Sequence, residues 1–422
     1  MTLLIIGLIL ILLALFGEPL FIIISAIALM AFHFADIDTS AVIIELYRLA
    51  SQPVLLAIPL FTFAGYLLAE SNAPKRIVDL SRALLGWLPG GLAIVTLISC
   101  AIFTAFTGAS GVTIIALGGL LYPVLLEDNY PEKFSLGILT SSGNLGLLFP
   151  PSLPIILYGL VSETSIDDLF LAGLIPGILM IVLLSLYSIF YIKKKNIRVK
   201  IEEKSTVSIR TALKNSAWEI PLPLIVLGGI YGGFFTATEA AAVTAFYVFV
   251  VEVFIYRDIS IRKDLRKIVR DSMVLVGGIL VILSAALGLA NYMIDAEIPM
   301  KILAVMQKYI TTKIGFLLVL NVFLLIVGAM MDIFSAIMVV VPLIIPIAAS
   351  FGIHPVHLGI IFLANLGIGY STPPIGMNLF IASFRFDKPL LKLYLSTIPF
   401  LIILLIALLL ITYIPEMSLW LL

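Results

Sequence analysis

The sequence predicts an all-α polytopic membrane protein made of inverted repeats, with two re-entrant helical hairpins and two broken helices. Of the 422 residues, 62% are hydrophobic and 12% are charged, and the mean hydropathy is +1.20. A soluble domain could not cover so much apolar surface, and apolar runs of about 18 residues or more recur along the chain. An Asn-Leu-Gly sequence followed by a proline pair occurs twice, about half a chain apart.

The net charge and the cysteine content argue against nucleic acid binding, disulfides and cysteine-rich metal sites. The formal net charge is zero, so nothing indicates nucleic acid binding. Cys100 is the single cysteine, which excludes an internal disulfide and a cysteine-rich metal site. The N-terminus lacks the basic start and small-residue cleavage site of a removed signal peptide.

The two proline pairs interrupt apolar segments, at Asn144–Ser152 and Asn365–Asn378. Proline removes a backbone donor, and a break in a span is tolerated only where protein or a water-filled cavity receives the unpaired groups. In the second copy we expect a half-helix starting at Pro374, with Thr372 as its cap. Half-helix ends that meet near mid-membrane are typical of the ion and substrate sites of transporters.

In the first half, the segments 3–16 and 19–34 form either a tilted helical hairpin or one kinked helix, and 40–51 is mildly amphipathic. We expect an amphipathic interfacial arm with Ile77, Leu84 and Leu88 on its apolar face. The charge-free segment 91–126 is either a bent span or a re-entrant hairpin with 107–111 at its tip, and its polar-tipped twin favours the hairpin. The predicted elements, in order, are a span at 53–69, the arm at 74–88, the hairpin at 91–126, a broken span at 134–160 and a plain span at 169–192.

In the second half, two basic loops at 193–216 and 257–270 mark the cytoplasmic side and enclose a pair of crossings. The remaining predicted elements repeat those of the first half. They are the paired helices at 220–235 and 239–251, a span at 272–292, a second arm at 299–310, a second hairpin at 315–350, a second broken span at 357–384 and a last span at 390–413. Each hairpin makes no net crossing, so each half makes an odd number and the halves insert oppositely. The first hairpin then enters from the cytoplasm, the second from outside, and both termini face the periplasm.

Asp332 is the only charged residue between Ile314 and Phe384. A carboxylate inside the membrane is costly and usually functional, so we expect it to meet a cation or carry a proton. The alternative is a helix-capping acid near water. Ser110, at the tip of the first hairpin, is its uncharged counterpart, and its alternative is a hydroxyl bonded to its own helix.

Asn144 and Asn365 either accept and donate beside the breaks or simply satisfy the broken backbone. Carbonyl and hydroxyl oxygens around the breaks suit sodium, a hard cation. The predicted sodium residues are Ser110, Gly143, Asn144, Gly328, Asp332, Asn365, Gly367 and Thr372. The predicted substrate-cavity residues are Thr107, Ser141, Ser142, Pro150, Pro151, Ser335, Pro373, Pro374, Gly376 and Asn378.

Several long motifs support a family resemblance. The sequence G-G-I-Y-G-G-F-F-T-A-T-E-A-A-A-V at 228–243 resembles a signature of the large membrane subunit of tripartite ATP-independent periplasmic (TRAP) transporters. So do L-G-L-L-F-P-P-S at 145–152, H-P-V-H-L-G-I-I at 354–361 and N-L-G-I-G-Y-S-T-P-P-I-G-M-N-L-F at 365–380. The chain departs from the family at Ala237, where proline is common, and at 107–110, where many members have more serine.

The resemblance implies a sodium-driven secondary transporter of an elevator type, with two or more sodium sites. The substrate class would be a C4-dicarboxylate, sialic acid or another sugar acid. A periplasmic binding protein would deliver it, and a small four-helix membrane subunit would be a separate polypeptide. The expected location is the inner membrane.

By that analogy the chain divides into five segments. Residues 1–90 and 169–313 would supply the scaffold, the arms and the cytoplasmic basic loop. Residues 91–168 and 314–388 would form the two halves of the transport domain, and 389–422 the last span. The alternative function is a stand-alone sodium- or proton-coupled carboxylate transporter. An intramembrane enzyme is disfavoured, because the sequence offers no catalytic or cofactor-binding constellation.

Overall fold

The structure, a computed structural model, describes residues 20–40, 43–44, 47, 51–86, 88, 90–195, 208–306, 308–373 and 376–422. Throughout these ranges the regular structure is helical. Within them, seven helices are long and apolar enough to cross a membrane, or eight if the one bent pair counts as a span. The all-helical membrane fold is therefore confirmed. The predicted segment 3–16, most of 40–51 and the centre of the first basic loop lie outside the described residues.

The first half contains an arm, a hairpin, a broken helix and a long span. The hairpin joins two helices at Gly108 and Ala109, which confirms the predicted tip. The helices of the first half are α1 (Leu20–Phe34), a 3-10 turn (Pro53–Leu56), α2 (Ala57–Glu70), the arm α3 (Ala73–Leu85), the first hairpin α4 (Gly91–Thr107) and α5 (Ser110–Glu127), the first broken helix α6 (Glu132–Ser142), its 3-10 turn (Leu145–Leu148) and α7 (Leu153–Ser162), and the span α8 (Ile166–Lys194).

The same four element types recur in the same order in the second half. Three further helices and a span precede them. The helices are α9 (Ile209–Asn215), α10 (Pro221–Tyr231), α11 (Ala237–Val250) with a π-helical end (Val251–Ile255), α12 (Leu265–Asp295), the arm α13 (Ile298–Met306), the second hairpin α14 (Lys313–Met330) and α15 (Ile333–Ser350), the second broken helix α16 (Pro355–Gly369) and α17 (Met377–Phe386), α18 (Leu390–Tyr413) and α19 (Glu416–Leu419).

Both predicted broken helices are broken. The first bends by 46° between the segments 132–148 and 153–162, where Pro150 and Pro151 lie buried. Proline also lies inside several unbroken helices, including α5 at Pro123 and α15 at Pro342 and Pro346. The proline pairs with their flanking glycines therefore mark the breaks better than single prolines do.

The two halves pack on each other reciprocally. The second hairpin helix of each half lies against the final piece of the other half's broken helix, α5 on α17 and α15 on α7. The long span of each half packs on the first piece of the other half's broken helix, α8 on α16 and α18 on α6. This exchange of equivalent contacts joins the hairpins and broken helices into one body. The opposite insertion of the two halves in the membrane stays a prediction.

The first arm differs from its predicted amphipathic face. Ile77 is buried as expected, but Leu84 is 46% exposed. The buried face of α3 includes Arg76, which a simple apolar-stripe argument places in water. An ion-pair cluster, described below, accounts for this difference.

Candidate functional site

The tip of the second hairpin lies directly against the second break. A Cβ added to Gly328 would lie 2.9 Å from the Leu366 Cα, and one added to Gly369 would lie 2.6 Å from the Gly328 carbonyl carbon. Only two glycines permit this approach of backbone to backbone. The Gly376 N–H donates to the Ala329 carbonyl at 3.0 Å, so main-chain groups freed by the break bond to the hairpin tip.

The first hairpin meets the first break in the same manner. A Cβ on Gly146 would lie 2.3 Å from the Ala101 carbonyl oxygen. The Thr104 hydroxyl donates to the Gly143 carbonyl at 3.0 Å, so a side chain of the hairpin satisfies a carbonyl of the break. Gly108, at φ +66°, packs against Leu153 at the start of α7. Each hairpin therefore packs against the main chain at a helix break.

A chain of four buried side chains crosses from one half to the other. The Ser110 hydroxyl donates to the Asn378 Oδ1 at 2.8 Å. The Asn378 Nδ2 donates to the Asn144 Oδ1 at 2.7 Å, and the Asn144 Nδ2 donates to the Ser371 Oγ at 3.0 Å. We call Ser110, Asn144, Ser371 and Asn378 the polar junction. Because buried amides and hydroxyls cost free energy unless paired, these bonds fix both broken helices and the first hairpin relative to one another.

The structure brings together three of the predicted site residues, Ser110, Asn144 and Asn378, in this junction. Ser110 therefore does not bond to its own helix, the alternative considered above. Gly367 also lies here, since a Cβ on it would meet the Asn144 Cβ at 3.5 Å. A Cβ added to Gly143 would likewise lie 3.1 Å from the Ser110 carbonyl oxygen.

Asn365 lies in a different polar group. Its Nδ2 donates to the Asn321 Oδ1 at 2.7 Å and to the Ile361 carbonyl at 2.8 Å. The Asn321 Nδ2 in turn donates to the Thr412 hydroxyl at 3.1 Å, so this group joins α14, α16 and α18. The expected equivalence of Asn144 and Asn365 holds for position along the chain but not for hydrogen-bond partners.

Three buried side-chain oxygens near the breaks have no hydrogen-bond partner among the described residues. They are the Ser141 Oγ, at the end of α6, the Ser152 Oγ, directly before α7, and the Asn365 Oδ1. A water, a protein donor or a cation can complete such an oxygen. The sodium sites expected at the breaks stay a prediction.

Asp332 caps α15. Its Oδ1 accepts the Ser335 N–H at 2.9 Å, and its side chain is only partly buried. The capping alternative describes the hydrogen bonding of Asp332, and its expected encounter with a cation stays a prediction. The second carboxylate oxygen still brings negative charge to the hairpin tip, where the Tyr370 hydroxyl accepts the Ile333 N–H.

The start of the last half-helix also differs from expectation. α17 begins at Met377 rather than Pro374, and Gly376 precedes it at φ +44°. Thr372 does not cap it, because its hydroxyl donates to the Ile368 carbonyl at 2.9 Å. Pro373 is exposed, and Pro374 lies outside the described residues.

The remaining predicted cavity residues are buried around the breaks. The Thr107 and Ser142 hydroxyls donate to carbonyls of their own helices, at Phe103 and Leu139. Ser335 is buried and contributes its N–H to Asp332. The Thr107 and Ser142 hydroxyls are therefore already engaged in hydrogen bonds.

Two structural features were not predicted from the sequence. Thr236 and Glu239 form a capping box at the start of α11. The Thr-x-x-Glu spacing at 236–239 was the available signal. Arg76 is the other: its guanidinium lies 3.8 Å from the Tyr256 ring centroid and pairs with Glu219, Glu252 and Asp258.

This Arg76 cluster fixes the first arm to the segment before α10 and to the end of α11. Burial would lower the pKa of Arg76, but the three carboxylates outweigh it and raise that pKa. Burial raises the pKa of Glu219 above its usual value, although Arg76 opposes the shift. Burial also acts to raise the pKa of Asp258, but hydrogen bonds from Asn72 and Arg76 hold it below the usual value.

Comparison with known proteins identifies the family. The profile described as "Tripartite ATP-independent periplasmic transporter, DctM component" matches residues 4–417.

The chain belongs to the DctM family.

Its relatives include the C4-dicarboxylate TRAP transporter large permease protein of Pseudomonas aeruginosa, 36% identical over 93% of this chain and 91% of that protein. The ectoine/5-hydroxyectoine TRAP transporter large permease protein of Ruegeria pomeroyi is 31% identical over 97% of this chain and 96% of that one.

A third relative is longer. The isethionate TRAP transporter permease protein of Oleidesulfovibrio alaskensis is 36% identical over 87% of this DctM-family chain, which spans 58% of its length. Among solved structures, the YdaH transporter of Alcanivorax borkumensis aligns with a TM-score of 0.64 at 16% identity, over 88% of this chain and 87% of that one. That likeness concerns the fold alone.

Proposed function

We propose that this chain is the large membrane subunit of a sodium-coupled importer of a small organic acid. The observation that carries the proposal is the polar junction, in which hydrogen bonds between Ser110, Asn378, Asn144 and Ser371 join both halves where their helices break. Broken helices that converge on one polar point are the construction used for ion and substrate sites in secondary transporters.

Sodium coupling is supported by the donor chemistry at the breaks. The orphaned Ser141 and Asn365 oxygens are buried acceptors, and a hard cation prefers such hydroxyl and carbonyl-type oxygens. Asp332 adds a carboxylate at the hairpin tip beside Tyr370. The sodium ions would be held by these groups and by main-chain carbonyls freed at the breaks.

An elevator movement is supported by two groups of helices that each pack internally and that meet where α12 packs on α15 and α2 on α4. The reciprocal packing of α5 on α17 and of α15 on α7 makes the hairpins and broken helices one body. The helices α1, α2, α11 and α12 pack on one another, α12 on α1 and on α2, and α11 on α2. In our proposal the first group moves as a transport domain against the second, which is the scaffold.

The substrate class and partners follow from family membership. The relatives' names refer to C4-dicarboxylates, isethionate and ectoine, so we propose a small organic acid. A periplasmic binding protein would deliver it, and a small four-helix membrane subunit would complete the scaffold. Positive half-helix ends at the breaks would meet the anionic group of the substrate.

The test is uptake by protein reconstituted with its small subunit in vesicles, with the cognate binding protein outside. We expect uptake only when both an inward sodium gradient and the loaded binding protein are present. Replacing sodium by choline, or omitting the binding protein, should reduce uptake to the level of empty vesicles. Uptake that is equally fast in choline would contradict sodium coupling, and uptake without the binding protein would favour the stand-alone alternative.

A further inference from the structure

An apolar cavity lies between the second arm and the second hairpin. It has a volume of about 330 Å³ and is bounded by α13, α14 and α15. The described residues that line it are all apolar, and they include Ile302, Met306, Phe316, Phe323, Leu343 and Ile344. Close-packed interiors rarely leave so large an unfilled volume.

Water is a poor occupant of this cavity. A buried water needs two or more polar partners, and no side chain of the wall offers one. The cavity also opens to the outer surface of the protein, because Val319 and Phe323 in its wall are each 44% exposed. In a protein that spans a bilayer, that surface faces hydrocarbon, so the material available to fill the cavity is an acyl chain.

The rim of the cavity carries the residues of a membrane–water interface. The loop that joins α13 to α14 contributes the wall residue Ile310, and Lys308 and Tyr309 directly precede it. Tyr309 is 85% exposed. Exposed tyrosine beside lysine is typical of the headgroup level of a bilayer.

A second lysine lies on the same rim. Lys313 begins α14, and its Nζ donates to the Gly352 carbonyl at 3.2 Å, just past the end of α15. The ring of the wall residue Phe316 stacks on Phe351 at 4.6 Å between ring centroids, which closes this end of the cavity. Between residues 298 and 331 the sequence contains no acidic residue. The segment 298–331 therefore gives the rim lysines without acids of its own, and its tyrosine and lysines are residue types of the headgroup level of a bilayer.

We propose that this cavity and its rim bind one anionic phospholipid, with an acyl chain between α13, α14 and α15 and the phosphate at Lys308 and Lys313. The cavity supplies apolar burial at about 25 cal/mol per Å². Each lysine adds electrostatic attraction to an anionic headgroup. The inference does not depend on the transported substrate or on sodium.

A second cavity serves as a matched control. It has a volume of about 220 Å³ and lies between the first arm and the first hairpin, lined by Ile77, Leu80, Phe106 and others. Its lining includes Ser81, Ser216 and the carboxylate of Glu219. Because Glu219 already pairs with Arg76 and the lining is partly polar, this cavity differs from the first one, and the same lipid should not depend on it.

The experiment is native mass spectrometry of the purified full chain in mild detergent, titrated with dioleoylphosphatidylglycerol or dioleoylphosphatidylcholine. We expect one phosphatidylglycerol to bind the wild type more tightly than phosphatidylcholine. Leu343→Trp, which fills the cavity, should weaken that binding at least tenfold. Lys308→Gln should weaken it about fivefold, the change that corresponds to ~1 kcal/mol per surface cation.

Two controls separate the site from general effects on the protein. Leu80→Trp fills the second cavity and should leave phosphatidylglycerol binding unchanged. Lys301→Gln removes a lysine of the same arm that donates to the Ala296 carbonyl at the arm's other end, and it should also have no effect. Because Lys308 is exposed, its variant tests the site even if Leu343→Trp folds poorly.

The proposal is overturned if phosphatidylglycerol and phosphatidylcholine bind alike, or if Lys308→Gln and Lys301→Gln give the same affinity. It is also overturned if the small membrane subunit, added to the lipid-loaded chain, displaces the bound lipid from the wild type. That last result would assign the cavity to a protein helix.

Discussion

Asn378 uses both ends of its side-chain amide in the polar junction, accepting from Ser110 and donating to Asn144. Each of its partners is buried. Removing this amide therefore leaves two buried polar groups without a partner, and each such group costs about 1–3 kcal/mol. No other residue in the junction bonds to both the first hairpin and the first break.

We expect Asn378→Ala to lower the free energy of unfolding by about 2–5 kcal/mol and to reduce sodium-driven uptake more than tenfold. Ser110→Ala removes one bond only and should cost about 1–2 kcal/mol. Thermal unfolding in detergent and uptake in vesicles measure the two effects. Equal losses in the two variants would contradict the central place given to Asn378.

Asp332 combines a cap with a charge, and two substitutions separate these roles. Asn caps helices about as well as Asp, so Asp332→Asn should keep the bond to the Ser335 N–H and leave stability within about 0.5 kcal/mol. Asp332→Ala should lose about 0.5–2 kcal/mol of stability. If the charge serves sodium, Asp332→Asn should still raise the sodium concentration needed for half-maximal uptake. An unchanged sodium dependence would assign Asp332 to capping alone.

The Arg76 cluster predicts a pH dependence of stability. The pKa of Glu219 is raised in the folded protein, so the folded state binds more protons than the unfolded state above the ordinary glutamate pKa. Glu219 therefore increases the free energy of unfolding at pH values below the ordinary glutamate pKa. This contribution is lost as the pH rises through the raised pKa of the folded protein. Glu219→Gln keeps an acceptor for Arg76 and should remove this part of the decline. Unfolding midpoints measured from pH 4 to 8 test it, and an unchanged profile would contradict it.

At the scale of elements, the approach of the second hairpin to the second break depends on glycine. We expect Gly328→Ala to destabilise the protein and to abolish most uptake, because its Cβ would lie 2.9 Å from the Leu366 Cα. Gly278→Ala in α12 is the matched control, since a Cβ there meets nothing within 4 Å. Alanine is the better helix former by about 1 kcal/mol, so the control should be neutral or stabilising.

Thermal unfolding and uptake of the two alanine variants give the answer. If Gly328→Ala is as stable and as active as Gly278→Ala, the close contact between hairpin and break is not required for transport.

The elements that local chemistry determines were predicted well. The hairpin tip at Gly108 and the breaks at the proline pairs were confirmed, because glycine and proline act on the backbone of their own segment. The start of α17 was not, because Gly376 has a φ of +44°, outside the right-handed helical region, so the helix begins only after it, at Met377.

Side-chain partners between distant segments were not predictable from pattern. Asn365 bonds to Asn321 and not to the junction, since its direction around α16 depends on packing that the sequence does not encode locally. Arg76 pairs with residues 143 to 182 positions away. A charged residue on an amphipathic helix is ordinarily placed in water, and only the fold reveals its buried partners.

At the scale of the whole molecule, the two halves are joined by hydrogen bonds at their helix breaks as well as by packing between helices. The polar junction joins the first hairpin to both broken helices, and α5 packs on α17 as α15 packs on α7. A ligand that binds at this junction would contact elements of both halves at once. In our proposal sodium binds at the breaks beside this junction, where the Ser141 and Asn365 oxygens lack hydrogen-bond partners.

The most direct measurement uses a single cysteine at the second break. Cys100 is buried and can be replaced by alanine, which leaves Thr372→Cys, at a partly exposed position, as the one reactive thiol. The rate of its modification by a polar maleimide is compared in sodium and in choline, with Ser260→Cys in an exposed loop as the control. We predict that sodium slows labelling at Thr372→Cys several-fold and leaves Ser260→Cys unchanged, whereas equal rates in the two salts at Thr372→Cys would contradict the account.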